Sequence, residues 1–78
     1  MEYPQFPAPA SGILKFDVAD QQTDRWICTL KMKVNPLFKV SLGEVLAFVY
    51  QKRPTLKYRK IQIELNYRDY EFTFHQEN

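Results

Sequence analysis

From Arg25 to Val34 apolar and polar residues alternate over ten positions, putting Trp26, Cys28, Leu30, Met32 and Val34 on one side and Arg25, Ile27, Thr29, Lys31 and Lys33 on the other. A period of two held this long does not suit an amphipathic helix. It calls for a sheet with one dry and one wet face. Gly12 to Val18 repeats the pattern, with Leu14, Phe16 and Val18 against Ile13, Lys15 and Asp17. The polar, turn-forming stretch from Ala19 to Asp24 should join these two strands into a hairpin. The alternation returns at Tyr58, with Ile61, Ile63, Leu65 and Tyr67 opposed to Lys60, Gln62, Glu64 and Asn66. Arg68-Asp69 then serves as a two-residue hairpin loop, and Tyr70, Phe72 and Phe74 continue the apolar face.

Between the two hairpins stands a helix signature. Asn35 and Pro36 end the second strand, and Val40-Ser41-Leu42-Gly43-Glu44-Val45 has the form of a capping box, Ser41 at the N-cap and Glu44 three residues on, with Val40 and Val45 placed for a hydrophobic staple. Leu42, Val45, Leu46 and Val49 make the stripe to be buried. Lys52 and Arg53 suit the negative end of the helix dipole, and Pro54 stops the helix by disfavouring helical geometry at Arg53. Gly43 should weaken this helix by about 1 kcal/mol relative to alanine.

The resulting fold class is α+β: a β-β-α-β-β chain with one helix packed on a four-stranded, mostly antiparallel sheet. Two strand orders fit. A right-handed crossover through the helix would make Arg25 to Val34 parallel to Tyr58 to Tyr67, whereas another docking gives an antiparallel meander. Ahead of this domain, at 12–75, residues 1–11 form an extended arm in which Pro4, Pro7 and Pro9 fix the backbone and remove donors. The arm is expected to be loose, although Tyr3 and Phe6 are rings that seek a surface such as a sheet edge or a second protomer. Residues 76–78 are a polar tail.

A chain of 78 residues holds one domain and buries about 60% of its unfolded surface. Six Phe, five Tyr and Trp26 let that small core bury much area at little entropic cost. Cys28 is the single cysteine, so no internal disulfide or multi-cysteine metal site can form, and a reducing compartment is expected. The amino terminus has neither the positive start nor the apolar run of a secretory signal, and no stretch reaches membrane-spanning length. The reading is a cytoplasmic protein, whole or part of a longer chain, with no membrane partner.

Charge is segregated along the chain. Lys31, Lys33, Lys39, Lys52, Arg53, Lys57, Arg59 and Lys60 stand against Glu44 alone, a local excess of +7, while the flanks are acidic and bring the whole chain to +2. Such a domain can attract an anionic partner despite its small net charge. The candidate binding residues are Lys52, Arg53, Lys57, Tyr58, Arg59 and Lys60, converging where the helix gives way to a strand, with Lys31 and Lys33 as a supplement. The leading expectation is a non-catalytic interaction or regulatory module docking an acidic protein. The alternative is a DNA- or RNA-binding protein using the same patch on phosphates, with Tyr50 and Tyr58 placed to stack on bases. Cations at a helix end and lysines on an exposed strand also have purely structural reasons to be there.

Catalytic signals are weak. His75, the only imidazole, falls near the chain end, Cys28 is in phase with the core, and two glycines make no phosphate loop. Glu64 and Glu71 could face each other across the last hairpin, but on a wet face they are more simply neighbours of lysines. No enzyme activity, cofactor or metal is expected. A single-strand platform of the RRM kind would need exposed rings, whereas Phe16, Trp26, Phe72 and Phe74 are all in phase with the core. Ile13, Ile27 and Phe38 fall outside that core and leave room for a homodimer.

Overall fold

The computed structural model describes residues 3–67 and 70–75. Its elements are β1 (Gln5–Phe6), β2 (Ile13–Asp20), β3 (Trp26–Lys33), β4 (Val40–Ser41), α1 (Leu42–Lys52), a 3-10 helix (Pro54–Tyr58), β5 (Ile61–Tyr67) and β6 (Tyr70–His75). One helix packs on an antiparallel sheet, as the α+β pattern requires. The packing of the Tyr67, Tyr70, Phe72 and Phe74 side chains, the Arg68-Asp69 loop and the tail at 76–78 lie outside the described residues.

Strand order is β3-β2-β5-β6, which gives the parallel course of the second and third long strands expected of a helical crossover and excludes the meander, although the two are not neighbours. β2 is central and antiparallel to both β3 and β5, so β3 and β5 run the same way with β2 between them. The helical connection skips one strand position, and every neighbouring pair is antiparallel without the sheet being a meander. Ile63 and Leu65 face Phe74 and Phe72, and Tyr67 faces Tyr70, the register that a two-residue connection dictates. That same register sets Glu64 opposite Thr73 and Glu71 opposite Asn66, so the two glutamates are not direct partners. His75 is the last residue of β6, opposite Gln62.

Inside the sheet, Leu14, Phe16, Val18, Ile61, Ile63 and Leu65 are buried against Leu42, Val45, Leu46 and Val49, the helical stripe anticipated from spacing. Ser41 Oγ accepts from the Glu44 backbone N–H at 3.3 Å, which makes the N-cap. At the other end the Arg53 N–H reaches Val49 O at 2.7 Å before Pro54 turns the chain. Phe48 meets Phe16 edge to face with centroids 6.3 Å apart. Among the described residues no helix is long and apolar enough to cross a membrane.

The arm is docked, not loose. β1 pairs antiparallel with β4, Phe6 opposite Val40, and Phe6 is only 2% exposed within the core. Two residues escape the proline restriction because Gln5 and Phe6 lie between Pro4 and Pro7, and a strand this short needs few donors. The arm then closes at Gly12, which has φ +74 and accepts from the Val34 N–H at 2.9 Å; a Cβ there would sit 3.3 Å from Val34 O. Gly43 has a different reason. The Tyr3 ring occupies its missing side chain, with Cδ2 at 2.8 Å from the ideal Cβ position.

Trp26 departs from expectation. Val18 faces Cys28 but Ala19 faces Trp26, so Ile27 is the surplus residue of a bulge and the strand changes phase there. Trp26 therefore follows Ala19 to the outer face and is 64% exposed. The exclusion of exposed rings fails for Trp26 and holds for the buried Phe16.

Candidate binding corner

The basic cluster takes its shape from one buried residue. Pro54 opens the 3-10 helix at a position that needs no amide donor, and Leu56 turns into the core from its middle. Lys57 and Tyr58 then face solvent on the opposite side, Tyr58 at 89% exposure. The strand expected from Tyr58 begins instead at Ile61. A proline after a helix signals a stop, but the same residue also suits the first turn of a second helix, and Pro54 does both.

Asp20 ties this turn to the sheet. Its Oδ2 accepts from Arg59 Nη2 at 2.7 Å, while Oδ1 accepts from the Gln22 and Thr23 N–H groups at 2.9 and 3.0 Å. The Arg59 hydrogen bond, helped by the Thr23 and Gln22 amides, holds the Asp20 carboxyl down at about 2. Arg59 thus spends its charge within the molecule. Lys52 lies with Nζ 5.5 Å from the Phe48 ring centroid and stays exposed. Among the described residues, no ion pair engages Lys52, Arg53, Lys57 or Lys60.

Lys31 and Lys33 are not part of this corner. Lys33 lies opposite Ile13 at the start of β2, whereas Ile61 lies opposite Asp20 at its end. Seven residue steps of about 3.4 Å separate the two ends by roughly 24 Å. Lys31 faces Lys15 on the outer side of edge strand β3, where lysines discourage pairing with another chain. Lys33 and Lys39 line a cleft of about 360 Å³ that also holds Glu44. Between the two basic ends, Thr29, Asp17 and Glu64 form one cross-strand row, so carboxylates interrupt any positive track across the sheet.

Tyr50 is half-buried, and burial pushes its hydroxyl up, with Tyr3 adding to the effect. Its ring is engaged with the core and leaves Tyr58 as the free aromatic of the pair. Burial likewise pushes the Cys28 thiol up, the state of a packed side chain rather than a nucleophile. Among the described residues no three His, Cys, Asp or Glu side chains gather as metal ligands. Compared with protein-family models, curated proteins and solved structures, the chain has no match in any of the three.

Proposed function

We propose that this chain is a small non-catalytic interaction module that docks an acidic protein surface through the corner built by the end of α1, the 3-10 helix and the entry to β5. The observation that carries this reading is Tyr58, almost fully exposed on a turn anchored by Leu56, in a segment whose Lys52, Arg53, Lys57 and Lys60 have no ion-pair partner among the described residues while Arg59 is held by Asp20. A tyrosine set among unpaired cations is the composition of a binding hot spot, since it offers apolar area and a hydroxyl at small entropic cost. A nucleic-acid track would draw on the lysines along the sheet as well. Here those lysines stand roughly 17 to 24 Å away along β2, beyond Asp17 and Glu64, which favours a compact acidic partner. The lone buried cysteine supports a reducing compartment, so the partner is sought in the cytoplasm.

Titration of fluorescent glutamate-rich peptides at about 50 mM salt tests the reading, with mixed-sequence oligonucleotides alongside. Saturable peptide binding is expected, weakened at least tenfold by Lys57→Glu combined with Lys60→Glu. Oligonucleotide binding with a log-log salt slope near −3.6, as for about four neutralised phosphates, and no peptide binding would overturn it.

A further inference from the structure

We infer that Trp26 is a second anchor of this docking surface, and that the partner is an acidic segment carrying one large apolar side chain near its carboxylates. The inference rests on the reading of the basic corner. It begins from a side chain that is both exposed and held. Trp26 Nε1 donates to Thr29 Oγ1 at 3.0 Å, and Thr29 Oγ1 in turn donates to Asp17 Oδ1, so the indole is fixed to the outer face while most of its surface meets solvent. A ring with its rotamer already set loses little entropy on being covered.

The register joins this ring to the corner. Ala19 lies between Trp26 on β3 and Gln62 on β5, so two strand spacings of about 4.8 Å separate them. Lys60, exposed just ahead of β5, stands two residues before Gln62 and so in phase with it along an extended chain. The Lys60 carbonyl accepts from the Gln21 N–H at 3.0 Å, and Gln62 Nε2 donates to Asp24 Oδ1, which fastens the turn between β2 and β3 against β5. Trp26 and Lys60 are thus about 12 Å apart across a braced surface. Arg25, exposed beside Trp26, adds a cation, and Asp24 has its carboxylate occupied by Gln62. An extended segment covers that span in about four residues, which sets the spacing between its apolar side chain and its acidic run.

Trp26 is the chain's single tryptophan, so its emission reports directly on docking. Two peptides of equal charge serve as probes, both with four glutamates after a serine-glycine stretch, one of them bearing a leucine four residues before the glutamates. The leucine peptide is expected to bind about tenfold more tightly and to shift the emission to the blue. With labelled peptides and anisotropy as readout, Trp26→Ala should remove that preference while keeping the affinity for the plain acidic peptide, and circular dichroism should show an unchanged fold. Equal affinities with an unmoved emission, or a leucine preference that survives Trp26→Ala, would overturn the role of Trp26 and leave the basic corner intact. Failure of both peptides to bind would overturn both.

Discussion

Asp20 does three things with two oxygens: it closes the turn after β2, orients Arg59, and through Arg59 holds the 3-10 helix to the sheet. Because its folded pKa is depressed to about 2, the stability it contributes is present above the ordinary carboxylate range and is lost as pH falls toward 2. Asp20→Asn should therefore lower the urea midpoint at pH 7, with the difference from the parent shrinking steadily below pH 4 and gone near pH 2. A difference that stayed constant with pH would show that the carboxylate charge is not what stabilises the turn. Gly43 makes a second residue-scale case. Alanine should gain about 1 kcal/mol of helix propensity, but only where the Tyr3 ring is absent. In a double-mutant cycle, Gly43→Ala is expected to stabilise a Tyr3→Ala background and to give no gain in the parent; additive effects would contradict the contact.

At the scale of elements, β1 is the part whose importance its size conceals. Phe6 is a large buried ring contributed by a two-residue strand, so Phe6→Ala should cost about 3 kcal/mol and lower Tm by about 15 °C, as read by thermal denaturation. A change of a degree or two would mean that the arm adds little. The helix and the strands were legible in the chain because each is announced locally, by a capping box, a proline stop or a period of two. The arm was not, because its prolines speak to local conformation while its docking depends on Val40 and the core beyond. Trp26 was misplaced for a related reason: a bulge is one surplus residue in a pairing, and alternation within a single strand carries no sign of its partner's register. Strand order is likewise a property of how the helix seats, which no single stretch of sequence declares.

At the scale of the whole molecule, the contiguous positive run of the sequence divides in space. Helix end and 3-10 helix gather Lys52, Arg53, Lys57 and Lys60 at one end of the sheet, whereas Lys15, Lys31 and Lys33 lie toward the other. The candidate residues near one another in sequence were found by composition alone; the separation of Lys31 and Lys33 needed the length of β2 and the register of its partners. The claim that follows is that acidic partners dock at one end only. Amide chemical-shift mapping of the labelled protein during titration with the leucine-bearing acidic peptide tests it most directly. The account predicts perturbations concentrated at 52–60 and 24–26, with 13–15 and 31–39 unmoved. Shifts centred on Lys15, Lys31 and Lys33, or spread evenly over both ends, would contradict it.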